Sequence, residues 1–304
     1  MTPIFDKNYS PTQSGKVRSN GIELYYESFG KPSNPAIVLI MGLDAQCVVW
    51  SMGFIEPLVK AGYYVIRFDN RDIGLSTWID DWHRSNPYTL EDMAADTVGL
   101  LDALHIKKAH IMGASMGGMI AQRIAISYPE RVLSLTSIMS SGYVLNPKAT
   151  KKLVMKLILS ILPFVIKRIT IKNRFTNHEV NLKTYMATYR MLAGTKYPFN
   201  HGYFEQLFQW SIYERKGQNP KARLQQYSAI VASGSRLSEL ATIKCPTLVL
   251  HGTADKLVPP IHAKIYAPLI PSAKMVWLDG VGHEIPQGAL SQTHEAILEL
   301  LNNI

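Results

Sequence analysis

Outside one long middle stretch, short apolar runs alternate with longer segments of helical period, the pattern of a largely parallel sheet covered by helices on both faces. Residues 36–41 (AIVLIM) and 63–68 (YYVIRF) are continuous apolar runs, and continuity rather than alternation marks strands buried on both sides. A hairpin strand over 22–28 follows Gly21, and a helix near 54–61 joins the two buried runs. Thr89 is placed as an N-cap, with Glu91 and Asp92 in the first turn of a helix that buries Met93, Val98, Leu101 and Leu104 and keeps Asp96 and Asp102 on its polar side. A strand over 109–112, a helix over 117–127 and a strand over 132–139 come next. The sheet pattern then resumes only with strands over 247–250 (TLVL) and 274–278 (KMVWL) and a helix over 291–301.

Residues 143–236 interrupt this alternation with helical segments and read as an inserted helical domain, leaving 1–142 and 237–304 as one α/β core. Within the insertion Leu153, Leu157, Ile161 and Val165 form one row at spacing four, and Val154, Ile158, Leu162 and Ile166 a second. Together they predict a broad apolar helical face, broken at Pro163.

Composition narrows the class without changing that layout. Of 304 residues 47% are hydrophobic and 18% charged, which excludes a disordered or collagen-like chain and a membrane bundle. The longest apolar stretch, 153–166, holds Lys156, Ser160 and Pro163 and is too short to span a bilayer. Residues 1–15 have no apolar run, which predicts a cytoplasmic protein without a signal segment. Cys47 and Cys245 stand far apart, so they read as reduced and buried, neither a disulfide scaffold nor a metal site.

The net charge of +9 belongs to the insertion, where 16 Lys and Arg face 3 acids while the remainder has 16 bases and 20 acids. A solvated cationic face is the leading account. Attraction of an anionic or carrier-bound substrate comes second, and docking of the segment around 148–167 on an anionic membrane third. No nucleic-acid-binding module accompanies the charge.

The chemistry concentrates at Gly113-Ala114-Ser115-Met116-Gly117, a G-x-S-x-G between an apolar strand and a helix of small residues. A sharp turn there presents the Ser115 hydroxyl at the carboxyl edge of the sheet, and the helix N-terminus beneath it favours a developing oxyanion. A serine nucleophile needs a base, and the base an acid that fixes its tautomer. Asp255 follows the strand TLVL and His283 lies in a glycine-flanked loop after the last strand, in the order Ser, Asp, His. Asp279 is the rival acid, on a shorter turn. His105 and His110 read as surface or strand-end histidines, and His251 stands too near Asp255 along the chain to be the base. Cys47 lies in the region of the loop after residue 41, where buried packing is the leading role and bordering the pocket the alternative. Tyr185, Tyr189, Tyr203, Phe204, Phe208 and Trp210 suit a hydrophobic acyl or aromatic group.

With these residues the chain resembles the α/β-hydrolase fold superfamily from its first strand to its last helix. Residues 68–76 (FDNRDIGLS) supply the D-x-R-x-x-G-x-S turn, and Met41-Gly42 followed by Trp50 stands where the usual His-Gly loop lies. The resemblance is nearest to the aclacinomycin methylesterase type of cofactor-free carboxylester hydrolases. It implies a mostly parallel, doubly wound sheet with a helical cap inserted after the sixth strand. It implies a triad of Ser115, Asp255 and His283, an oxyanion hole from the backbone N–H groups of Leu43 and Met116, substrate contacts at Gly42, Leu43 and Met116, and neither cofactor nor metal. Asp69, Arg71 and Asp96 are expected to make structural hydrogen bonds under the serine turn. Met41 replaces the His of many relatives but leaves the backbone donor in place. The loop is not the Gly-rich one of proline iminopeptidases or carbon–carbon bond hydrolases, and a serine nucleophile speaks against dehalogenation and epoxide opening. Perhydrolysis, thioester cleavage, transfer to an alcohol, or a ligand receptor on the same scaffold remain as alternatives to hydrolysis of small to medium hydrophobic esters.

Overall fold

A computed structural model of the chain describes residues 9–150 and 178–304. Eight strands make one sheet: β1 (Gln13–Ser19), β2 (Ile22–Phe29), β3 (Ala36–Ile40), β4 (Tyr64–Phe68), β5 (Ala109–Ala114), β6 (Val132–Ile138), β7 (Thr247–Gly252) and β8 (Ala273–Leu278), in the order β1-β2-β4-β3-β5-β6-β7-β8. The pairs β1–β2 and β2–β4 are antiparallel and all others parallel. Asn20 and Gly21, with φ of 49° and 81°, form the tight turn between β1 and β2, the Asn-Gly pair that a right-twisted hairpin favours. β1 itself, with its polar and exposed alternate positions, carries no apolar run and was not legible as a strand.

Among the described residues the α-helices are α1 (Met52–Lys60), α2 (Leu90–Ala103), α3 (Met116–Ser127), α4 (Pro147–Thr150), α5 (His178–Leu192), α6 (His201–Tyr213), α7 (Ala222–Ala232), α8 (Ile261–Tyr266) and α9 (Leu290–Leu301). Alternate residues of the buried strands feed two cores. Val38, Ile40, Ile66 and Phe68 join Leu101, Ile111 and Ile120 on the side covered by α2 and α3. Ile37, Leu39 and Val65 join Phe54, Ile55, Leu58 and Ile297 on the side covered by α1 and α9. This two-sided burial is why β3 and β4 read as continuous apolar runs.

α2 starts as expected, with the Thr89 Oγ1 accepting from the Asp92 N–H and the Asp92 carboxylate accepting from the Thr89 N–H. Asp96, placed on the solvent side by periodicity, is instead 2% exposed and paired with Arg71. A fully formed ion pair is what lets a carboxylate occupy the inner face of an amphipathic helix. Cys245 is only half-buried, against the expectation for it; both cysteines are free.

Helices α4 to α7 lie between β6 and β7 in the chain. Where the chain departs and returns, the Arg236 N–H donates to the Gly142 carbonyl at 3.0 Å. The apolar rows between Leu153 and Ile166, and the break at Pro163, lie outside the described residues. Among the described residues no helix is long and apolar enough to cross a membrane. Not all the insertion's cations face solvent: Arg215 and Arg236 are 4% and 1% exposed, and Arg223 pairs with a buried aspartate. The solvated-face account therefore overstates the outward charge.

Candidate active site

β5 delivers the chain to Ser115, whose φ of 55° and ψ of −118° are strained for any residue with a side chain. The strain persists because the turn is held on both sides: the Ser115 N–H donates to the Ile138 carbonyl at 2.8 Å, and its carbonyl accepts from Ser140 Oγ at 2.8 Å. The flanking glycines are needed for space. A Cβ on Gly113 would lie 2.0 Å from the Gly117 oxygen, and one on Gly117 would lie 2.0 Å from the Ile40 oxygen. α3 then begins at Met116, directly beneath the hydroxyl.

His283 Nε2 stands 2.9 Å from Ser115 Oγ, and its Nδ1 stands 2.6 Å from Asp255 Oδ2. An ionised carboxylate can only accept, so Nδ1 carries the proton and Nε2 is left to accept from the serine hydroxyl. Asp255 is oriented by its other oxygen, which accepts the N–H groups of Leu257 (2.9 Å) and Val258 (2.8 Å). The loop of His283 is fixed through its own N–H, which donates to the Leu192 carbonyl at the end of α5, 2.7 Å away.

The rival groups stand elsewhere. Asp279 is 81% exposed and faces Lys196 across 3.4 Å. His251 is fully buried, with Nε2 2.8 Å from the Val258 carbonyl and 3.6 Å from Asp255 Oδ2, and burial pushes its pKa down. His105 is exposed. His110, expected at the surface or a strand end, is 4% exposed, hydrogen-bonded to Ser134 Oγ at 2.8 Å, and burial lowers its pKa to about 4.

The loop after β3 crosses the serine closely: a Cβ on Gly42 would sit 3.1 Å from that of Ser115. Neither the Leu43 N–H nor the Met116 N–H donates to a protein acceptor among the described residues. The loop is tied to the turn after β4, where Asn70 Nδ2 donates to the Met41 carbonyl (3.0 Å) and Asp69 Oδ1 accepts the Cys47 N–H (2.7 Å). Asp69 thus braces the loop of Leu43, not the serine turn as expected. Arg71 and Asp96 join the turn to α2 through two 2.6 Å hydrogen bonds.

The aromatic residues of the insertion are committed largely to packing. Phe204 and Phe208 of α6 bury against Cys47 and Val48, Tyr185 stacks on Phe208 at 5.0 Å, and Trp210 meets Tyr9 edge-on at 5.9 Å. Sequence reasoning missed several polar residues around the site: Glu27, Asp44, Arg67, Arg215, Arg223, Gln226 and Glu284. Arg67 could have been found, since a cation within the buried run YVIRF requires an acid beside it; Glu27 is its register partner on β2. Glu284, next to His283, has no hydrogen bond among the described residues, and burial pushes its pKa up to about 7. Among the described residues no cluster of His, Cys, Asp and Glu could hold a metal ion.

Comparison with known proteins agrees with this architecture. The family model for the alpha/beta hydrolase fold matches residues 35–286. Rhodomycin D methylesterase of Streptomyces peucetius is 28% identical over 277 residues, covering 89% of this chain and 92% of the relative. Among solved structures, the enol-lactonase from Burkholderia xenovorans LB400 superposes with a TM-score of 0.71 at 24% identity, over 95% of this chain and all of that one. A thermophilic esterase from Thermogutta terrifontis superposes with a TM-score of 0.70 at 23% identity, over 96% and 98% of the two chains. A match of that extent to the family model, on a sheet of this strand order, makes the chain a member of the α/β-hydrolase fold family.

Proposed function

We propose that the protein is a serine carboxylester hydrolase working through an acyl-enzyme. The observation that carries this reading is the continuous hydrogen-bond chain from Ser115 Oγ through His283 to Asp255, at 2.9 and 2.6 Å. His283 Nε2 takes the Ser115 proton as Oγ attacks the ester carbonyl. The tetrahedral oxyanion is received by the N–H groups of Leu43 and Met116, reinforced by the N-terminal end of α3. Collapse expels the alcohol, protonated by His283, and a water deprotonated by the same imidazole then releases the acid and frees the serine.

Gly42, Leu43 and Met116 form the substrate-facing wall at the carbonyl, and residues 143–236 act as a cap over it. The name of the methylesterase relative favours esters of small alcohols, with the larger acyl half under the cap. Hydrolysis of p-nitrophenyl esters from acetate to palmitate tests the reading. Ser115→Ala is expected to lose on the order of 10⁶ in turnover and Asp255→Asn about 10⁴. Ester turnover surviving in Ser115→Ala would refute it.

A further inference from the structure

We infer that Arg223 and Gln226, on α7, are positioning residues for the Leu43 N–H, so that the insertion must be docked on Asp44 for the oxyanion site to be in register. This rests on the function proposed above. Asp44 directly follows Leu43, has a left-handed φ of 63°, and is 4% exposed. Every polar group of Asp44 that the described contacts engage is held by the insertion and none by the core. Its N–H donates to Gln226 Oε1 at 2.8 Å, and its carbonyl accepts from the Tyr185 hydroxyl at 3.0 Å. Its carboxylate accepts from Arg223 Nε and Nη2, each at 2.8 Å, and from Gln218 Nε2 at 3.2 Å. Gln226 is itself aimed by a second bond, Nε2 donating to the Arg71 carbonyl at 3.0 Å.

Peptide planarity converts these contacts into an orientation. The plane between Leu43 and Asp44 is fixed by Gln226, and the plane after Asp44 by Tyr185. On the other side, Asn70 fixes the Met41 carbonyl. Leu43, whose own N–H is committed to nothing among the described residues, is the residue left between a core anchor and an insertion anchor. A left-handed φ is uncommon outside glycine, though Asp adopts it more readily than most residues, and the contacts to Gln226, Tyr185 and Arg223 are what fix it here. Arg223 adds an electrostatic part, because an unneutralised Asp44 carboxylate beside the donor would oppose the negative charge developing on the substrate oxygen.

Losing an oxyanion donor costs about 10²–10³ in kcat, and displacing one costs less. Arg223→Met is therefore expected to lower kcat for p-nitrophenyl acetate roughly 10- to 100-fold with KM changed less than about threefold, and Arg223→Lys, which keeps the cation, to recover most of the loss. Gln226→Leu is expected to match Arg223→Met. Affinity for a phenyl trifluoromethyl ketone, which adds to the serine as an oxyanion, should fall in parallel with kcat, while a role in packing alone would lower Tm and leave that affinity intact. If Ser115→Ala is inactive and both α7 variants retain full kcat and ketone affinity, the positioning role is wrong and the hydrolase reading stands. If Ser115→Ala keeps its activity, both fall.

Discussion

Glu27 and Arg67 are register partners across the antiparallel pair β2–β4, and their charged groups meet at 2.6 Å with both side chains buried. Arg215 arrives from the insertion to take the second Glu27 oxygen at 2.9 Å and reaches Asp69 at 3.0 Å, while the hydroxyls of Tyr9 and Tyr25 donate to the same Glu27 carboxylate. Removing one member of a buried ion cluster leaves its partners charged and desolvated, so Glu27→Ala is expected to lose about 3–5 kcal/mol in urea unfolding at pH 7. Burial by itself disfavours the charge on Glu27, but Arg67 and Arg215 outweigh it and hold the carboxyl below its ordinary value of 4.5. Its stabilisation is thus complete above the unfolded pKa and lost as pH falls through the lower folded one. The gap between wild type and Glu27→Ala should narrow on acidification below pH 4.5; a constant gap down to pH 3 would contradict this account.

The capping box of α2 gives a second, local prediction. Thr89→Ala removes the acceptor of the Asp92 N–H and the hydroxyl that donates to Asp92 Oδ2 at 2.9 Å, and is expected to cost about 1 kcal/mol without altering activity. Thermal unfolding of the two proteins, with ester turnover as the control, decides it.

Thr89, the buried runs and the serine turn were legible because each is written in local chemistry: a cap with acids behind it, apolar continuity, glycines where backbones touch. Asp255 and His283 were legible through their order along the chain. For Asp96, periodicity gave only a polar face and missed its burial, while the expected structural hydrogen bonding is met by Arg71, which reaches it from another element. The clamp on Asp44 was invisible for the same reason: Tyr185, Gln218, Arg223 and Gln226 converge on it from far along the chain, with no spacing rule to connect them. The insertion's charge count was likewise silent on which arginines turn inward.

Ser115 combines a reactive side chain with a backbone that only glycine adopts at ease. Ser115→Gly and Ser115→Ala both remove the hydroxyl, yet the glycine variant also relieves the φ of 55°. It is expected to be the more stable of the two by about 1 kcal/mol, a difference of a few degrees in Tm, with both inactive. Equal stabilities would show that the surrounding contacts, and not the dihedral, set the energy of the turn.

Glu284 offers the clearest pH signature near the site. It follows His283, its charge is felt by the buried hydroxyls of Tyr189 and Tyr203, and burial pushes its pKa from 4.5 up to about 7. Between those two values the folded protein holds a proton on Glu284 that the unfolded chain has released, so stability falls as pH rises through the interval and levels off above about 7. Glu284→Gln keeps the shape and cannot ionise. Relative to wild type its urea midpoint should be unchanged near pH 4 and higher at pH 8, with the gap opening between 4.5 and about 7. The same ionisation places a new negative charge beside His283. The kcat/KM profiles of wild type and Glu284→Gln should therefore diverge as pH rises from 4.5 to about 7. Midpoints that differ by a constant amount from pH 4 to 8 would mean that the carboxyl titrates as it does in water.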